Sequence, residues 1–372
     1  MGTVGPMRER AAAVALAAAI LLGACGGGDA GGAGQAVRVP TPPTATAMPP
    51  PGQLTPPSDK GLNYDGPTAA NGDWLGTRWL RTGDEGWAEA RPAIQADLDF
   101  IVDHGLGRVV RVFIGIDQLM VWDRSTGFVR FDDGALRNLD QAFDLFDAHH
   151  VGVIAVVYDQ EELSSPGNFR AQALDGHHAA MRQNYLAATE QFFRRYGSRP
   201  TVVGWDLFNE AYGSLGREGG LPRPPAPDPV SPNYPDVTVH AWIVDLYQAA
   251  KRGAPGAWLT VSDTTELYWK DPPDTAGYAG AVDFYDIHVY DDHPAVRSWA
   301  RTLDRPYLLG EVGGDVDHGL HDPSVNSRAV AFWLSHAREL GIRAVLAHSS
   351  DGSVYSLRSG LTATGRVIES AP

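Results

Sequence analysis

From about residue 108 onward the chain repeats one pattern: a short run rich in β-branched residues, then a longer stretch whose apolar residues recur at helical spacing. "RVVRVFIG" (108–115) is followed by "ALRNLDQAFDLFDAHH", with Leu136, Leu139, Phe143 and Phe146 on one helical face. "VGVIAVVYD" (151–159) is followed by "HHAAMRQNYLAATEQFFRRYG", with Met181, Tyr185, Phe192 and Tyr196 down one side. "TVVGWDLFNE" leads through a Pro-rich insertion at 221–235 into "VHAWIVDLYQAAKRG", a helix that stops at a glycine, as helices commonly do. "AWLTVSD" (257–263), "VDFYDIHVY" (282–290), "PYLLGEVGG" (306–314) and "RAVLAHSS" (343–350) are further strands, with helical segments around 293–303 and 324–340 among the last of them. Strands separated by helices pair in parallel, and strands that are apolar throughout need cover on both faces. With "WAEARPAIQADLDFIVDHG" as a helix and a first strand near "ANGDWLGTRWL" (70–80), the count reaches eight, which predicts a closed (β/α)8 TIM barrel. The alternative is an open doubly wound sheet, but no Gly-rich phosphate turn follows the first strand and there is no P-loop.

The first 60 residues have a different character. In "MRERAAAVALAAAILLGAC", Arg8 and Arg10 precede the apolar stretch Ala11 to Leu22, and small residues lead to Cys25, the one cysteine of the chain. The stretch is shorter than the roughly 20 residues that span a bilayer. It reads as an export signal over residues 1–24, and Leu22-Gly23-Ala24-Cys25 resembles a bacterial lipobox, which implies cleavage before Cys25 and lipidation of its thiol and new amino group. An ordinary secretory signal is the alternative; a lone cysteine has no internal disulfide partner in either case. Residues 25–60, rich in Gly and then Pro, carry too few large apolar residues to fold and read as a tether, flexible first and stiffer later. The folded region is therefore expected at 61–372. The expected location is outside the cell, with the lipid anchored in the outer face of a bacterial membrane.

A formal net charge of -15, with no basic cluster beyond the Arg-Glu-Arg near the start, argues against a nucleic-acid partner and favours a neutral ligand.

In a parallel barrel, chemistry collects at the carboxyl ends of the strands. There the chain places Arg111, Tyr158 with Asp159, Asn209 with Glu210, His288 with Tyr290, Glu311, and His348. Glu210 and Glu311 both follow long apolar runs and precede small turns, "EAYG" and "EVGG", so both are expected at one mouth. Arg111, flanked by Val109, Val110, Val112 and Phe113, is expected to be buried and therefore to need a carboxylate partner. His288 and Tyr290 share a strand face, with Asp286 deeper on the same face as a structural residue. Two carboxyls across a mouth, one held ionised by donors and one kept protonated, suit glycoside hydrolysis.

"GWDLFNE" on the fourth strand, "DIHVY" on the sixth, "LLGE" on the seventh and an Arg within the second resemble the clan A retaining glycoside hydrolases, most of all family 5, the cellulase and mannanase family. The resemblance spans roughly residues 70–365. It implies Glu210 as acid/base, Glu311 as nucleophile, Asn209 as a ligand of the sugar 2-hydroxyl, Arg111 and Tyr290 as groups orienting Glu311, and His288 as a residue lining the site. It implies a polysaccharide or oligosaccharide substrate, a monomer, and no cofactor or metal. Many members carry a Trp at the end of the eighth strand as a sugar platform, whereas this chain reads "AVLAHSSDG", with His348 or Ser349 there. The Asn or His pair common after strand two or three is also missing, replaced by "GIDQLMVWD" and "YDQEELSS". Trp74, Trp122, Tyr212 and Trp269 are candidates for stacking on sugar rings, or for core packing.

Two other readings compete. A non-catalytic carbohydrate-binding surface lipoprotein would keep the aromatics and not need both carboxyls. A metal-dependent hydrolase could use Asp315, Asp317, His318 and His321 of "DVDHGLHD", although no Cys or His-x-His motif supports that segment.

Overall fold

The computed structural model describes residues 59–372 apart from 65, 67–83, 124–126, 159–178, 213–235, 265–266, 269–271, 292–295, 297–301, 315–322, 349–353 and 357–358. The strands that build the core are β1 (Asp59–Asn63), β2 (Val109–Phe113), β5 (Gly152–Val156), β6 (Val202–Asp206), β7 (Leu259–Thr260), β8 (Ser262–Asp263), β9 (Tyr285–Tyr290), β10 (Tyr307–Gly313) and β11 (Ala344–Ala347). They form one sheet in the order β7-β6-β5-β2-β1-β11-β10-β9-β8, and every pairing is parallel. The two ends of that order, β7 and β8, are halves of one strand separated by Val261. One half pairs with β6 and the other with β9, so the sheet closes on itself as the expected (β/α)8 barrel of eight staves. The break has a local cause. The amide of Ser262 donates to the Asp206 carboxylate (3.0 Å) in place of a ladder carbonyl.

Helices α1 (Asp84–Asp103), α2 (Asp133–Ala148), α3 (Ala179–Tyr196), α4 (Asp236–Gly253) and α5 (Pro323–Leu340) cover the outside of the barrel. Their apolar stripes do the covering. On α2 the buried residues include Leu139, Ala142, Phe143 and Phe146, and Asp132 caps the helix by accepting from the Ala135 amide at 2.9 Å. The core is accordingly in two parts. Outward-facing strand residues such as Val110, Val112, Leu309 and Val312 pack under the helices, while Val109, Ile154, Phe284, Leu308, Ala344 and Leu346 fill the barrel interior. None of the described helices is long and apolar enough to cross a membrane.

The first stave lies earlier than the sequence suggests. It is β1, "DKGLN", hydrogen-bonded to β2 and β11, whereas 70–80 falls outside the described residues, as does most of the helix expected at 293–303. A strand with one large apolar residue carries little periodic signal. Its place is set by neighbours instead, since a side chain on Gly61 would strike the Val109 carbonyl. Two additions to the eight-unit plan were also not foreseen. One is the antiparallel hairpin β3 (Met120–Asp123) and β4 (Gly127–Phe131) after the second stave. The other is a C-terminal pair, β12 (Tyr355–Ser356) and β13 (Gly360–Leu361), with helix α6 (Ala363–Ser370).

Candidate active site

Strand alternation puts Arg111 inside the barrel, two residues beyond the interior Val109. It is fully buried and surrounded by acceptors. Nη1 donates to Asn63 Oδ1 (3.0 Å) and to Glu311 Oε1; Nη2 donates to Asp206 Oδ2 (2.7 Å), Asn209 Oδ1 (2.7 Å) and Ser262 Oγ (3.3 Å). Burial works against the guanidinium charge, but Glu311, Asp206 and Asp286 outweigh it and hold Arg111 cationic. Asn63, which sequence reasoning missed, also donates from Nδ2 to the Gly310 and Ala347 carbonyls at 2.7 and 3.2 Å, tying the first stave to the last two.

Beyond β6 the backbone keeps its neighbours' hydrogen bonds, Leu207 to Thr260 (2.8 Å) and Asn209 to Tyr158 (3.0 Å), and then turns sharply. The turn leaves Glu210 at φ 49°, a left-handed conformation uncommon for a residue with a side chain. Its side chain, 23% exposed, accepts at Oε1 from Thr264 Oγ1 (2.8 Å) and from His288 Nδ1 (2.9 Å).

On β9, Asp286, His288 and Tyr290 share the interior face, as the i, i+2 spacing requires. On β10 plain alternation from the interior Leu308 would point Glu311 outward, toward the helices. It does not, because the register shifts between Leu309, opposite Ile287, and Glu311, opposite His288. Gly310 is the extra residue of a β-bulge that re-aims the carboxylate into the barrel. Glu311 there accepts from Arg111 at one oxygen and from the Tyr290 hydroxyl at the other, with His288 Nδ1 and His348 Nε2 each 3.6 Å from Oε2. Burial would raise its pKa. His288, Arg111 and His348 overcome that with the Tyr290 bond and bring it down to about 2. Burial likewise presses His288 down, but the Glu311 and Glu210 carboxylates, acting against Arg111, push it up to about 9. The Tyr290 phenol is raised by burial and by the two carboxylates, so it remains a donor.

The structure thus brings together Arg111, Asn209, Glu210, His288, Tyr290 and Glu311 at the carboxyl ends of the staves. It adds Asn63, Asp206, Ser262 and Thr264, polar residues within or just beyond short strands that sequence offered no reason to single out. His348 replaces a platform with an imidazole beside Glu311, edge-on to Tyr290 at 5.4 Å. Of the stacking candidates, Tyr212 is packed: its hydroxyl donates to the Gly277 carbonyl (2.6 Å) and its ring meets Tyr278. Trp122 lies half-buried on the hairpin against Tyr185. Trp74, Trp269, Asp159 and the "DVDHGLHD" segment are outside the described residues.

One oxygen each of Glu210 and Glu311 and a ring nitrogen of His288 lie within 4.8 Å of one another, the group among the described residues close enough to share a metal ion. The charges point elsewhere. His288 is held protonated and donates from Nδ1, and Glu311 is already engaged by a guanidinium and a phenol, so the trio behaves as two carboxyls bridged by a cation.

No family model matches the sequence, and a search of curated proteins finds no match. Similar folds occur among solved structures. The chain is similar to a β-mannanase from the blue mussel Mytilus edulis, at 16% identity and a TM-score of 0.59 over 83% of this chain and 90% of that one. It is similar to a β-1,4-D-mannanase from Cryptopygus antarcticus, at 17% identity and a TM-score of 0.59 over 83% and 87%. It is also similar to GH5_18 from Streptomyces cattleya, solved in complex with Manb1-4GlcNAc, at 18% identity and a TM-score of 0.59 over 84% and 80%. At these identities the likeness establishes the barrel fold.

Proposed function

We propose that this chain is a retaining β-glycoside hydrolase acting on a β-linked mannan, glucan or related oligosaccharide. The observation that carries the reading is the pair Glu210 and Glu311, with oxygens within 4.8 Å of each other and with unlike surroundings. Carboxyls that close belong to double displacement, where the retaining separation is about 5–5.5 Å, against about 6.5–9.5 Å when a water must fit between them. Glu311, ionised by its donors, attacks the anomeric carbon as the bond to the leaving oxygen breaks, giving a glycosyl ester. Glu210 supplies the proton that the leaving oxygen takes. Oε1 of Glu210 already accepts from Thr264 and His288, so its acid proton belongs on Oε2. Glu210 then takes a proton from water, water attacks the same carbon, and the ester breaks to restore Glu311. Asn209 turns its amide oxygen to Arg111 and Ser262, which makes its NH2 the donor end for a sugar 2-hydroxyl. That the similar structures include mannanases supports the substrate class.

The test is turnover of aryl β-glycosides, mannans and β-glucans, with NMR of the first anomer released, expected to be β. Glu311→Ala and Glu210→Ala should each lose at least about a hundredfold in kcat. Azide should then give the α-glycosyl azide with Glu311→Ala, entering from the face the nucleophile vacates. With Glu210→Ala it should give the β-glycosyl azide, by attack on the glycosyl ester. Full activity in either variant sinks the assignment. We further propose export and lipid anchoring at Cys25. Labelled palmitate should enter the native chain and not Cys25→Ser, and equal labelling of both would refute it.

A further inference from the structure

Beneath Glu210 and Glu311 lies a carboxylate that the cycle above does not use. Asp286 is wholly buried on β9, and neither oxygen has a hydrogen-bond partner. Such a group is costly to keep in an interior. It faces two cations, with His288 Nε2 3.9 Å from Oδ1 and Arg111 Nε 3.7 Å from Oδ2, and both nitrogens also lack a hydrogen-bond partner. Gly310 makes the room: a Cβ there would come within 2.0 Å of Oδ1, so the bulge that turns Glu311 inward also accommodates Asp286. On the other side of the ring, Nδ1 bonds Glu210 at 2.9 Å and lies 3.6 Å from Glu311. An imidazole with carboxylates at both nitrogens is matched on both sides only when both carry protons.

We propose that Asp286 is a positioning residue that holds His288 as the doubly protonated imidazolium, keeping its Nδ1–H on Glu210 while that carboxyl gives up and regains its proton. The consequence for turnover rests on the glycosidase reading; the Asp286–His288 pairing does not. The groups facing the ring are Glu210 from the end of β6, Glu311 from β10, Arg111 from β2, and Asp286 and Tyr290 from β9 itself. Asp206 acts on Asp286 in turn, and His348 on Glu311. Burial pushes Asp286 up to about 7 against the pull of Arg111 and His288. Its negative charge therefore arrives over the range in which an ordinary imidazole, near 6.5, sheds its proton. The new anion offsets that loss and keeps the ring charged.

The test is NMR titration of the full chain, with 15N in the histidine rings and 13C in the aspartate carboxyls. His288 is assigned by the signals lost in His288→Gln. In the native chain His288 should keep both ring protons past about pH 8, with a small inflection near neutrality shared with one aspartate carboxyl. In Asp286→Asn that carboxyl signal should vanish and His288 should deprotonate about one unit lower or more. The alkaline limb of kcat/KM should move with it, so the loss at about pH 9 exceeds that at about pH 5 by about fivefold or more. An unmoved His288 titration in the folded variant, or an equal activity loss at every pH, overturns the proposal. If the variant fails to fold, the native titration decides, and the absence of the shared inflection overturns it. A native chain with no glycosidase activity whose His288 still shifts as expected would refute the glycosidase reading and leave the pairing standing.

Discussion

At the scale of single residues, the site works by giving two glutamates unlike surroundings and one of them an unfavourable backbone. Glu210 holds a left-handed φ of 49°, a conformation that costs of order 1 kcal/mol for a residue with a Cβ and nothing for glycine. Glu210→Gly is therefore expected to lose turnover yet unfold at a denaturant midpoint equal to or above the native one, a gain of about 0.5–1 kcal/mol. A clear loss of stability would show that the Thr264 and His288 bonds outweigh the strain. The ionisation states predict a stability profile. Glu311 sits near 2 in the folded chain against an ordinary 4.5, so its contribution is present above about 4.5 and lost as pH falls through about 2. The span corresponds to about 3 kcal/mol. His288 is raised from 6.5 to about 9, so its contribution is complete below about 6.5 and lost as pH rises through about 9. Denaturation curves across pH should rise through the Glu311 window and then decline, first over about pH 4 to 7 as Asp286, raised from 3.8 to about 7, ionises at a cost, and then toward pH 9 as His288 loses its proton. Glu311→Gln should flatten the acid rise and His288→Gln the alkaline decline. Stability that continued to rise to pH 9 would contradict the His288 assignment. Which carboxyl is ionised was not legible in the chain, because the donors that decide it come from other strands, Tyr290 and Arg111 at 21 and 200 residues from Glu311 and His288 at 78 residues from Glu210.

At the scale of elements, irregular strands aim the chemistry. β10 needs the bulge at Gly310 to turn Glu311 inward, and the split between β7 and β8 follows from the Asp206 carboxylate taking the Ser262 amide. Gly310→Ala should be poorly tolerated, since the added methyl would overlap Asp286 and the strand could relieve it only by changing register. A loss of about 2–4 kcal/mol in stability, with activity falling in the remaining folded protein, is expected from denaturation and kinetics measured together. Near-native stability would mean that the bulge is not pinned there. Strand existence was readable from apolar runs such as "VGVIAVVYD", and helix existence from the stripe of α2. The bulge was not, for a glycine beside a glutamate has no periodic signature, and an unbulged reading of β10 would have turned Glu311 away from the barrel. The β3–β4 hairpin escaped notice for a related reason, since its short strands follow a stave where a helix was due.

At the scale of the molecule, closure joins distant parts of the chain. Lys60 of the first stave donates to the Ile368 and Ala371 carbonyls at 2.7 and 2.5 Å, so one lysine caps the last helix, α6, from some 300 residues away. Lys60→Met should lower stability by about 1 kcal/mol and speed amide exchange in residues 363–371 while the barrel amides keep their protection. Uniform exchange changes would show that α6 is not a separable cap. The sequence by itself determined the alternation of strands and helices from the second stave onward, and hence a parallel barrel, because periodicity is a local property that 10 or 20 residues express in full. It also determined that Glu210 and Glu311 each stand near a strand end. Tertiary structure alone decided that the first stave is Asp59–Asn63, that a bulge is what turns Glu311 inward, and that Asn63, Asp206, Ser262 and Thr264 surround the pair. The physical reason is range: a side chain's facing and its charge state depend on groups that only barrel closure brings within a few ångströms.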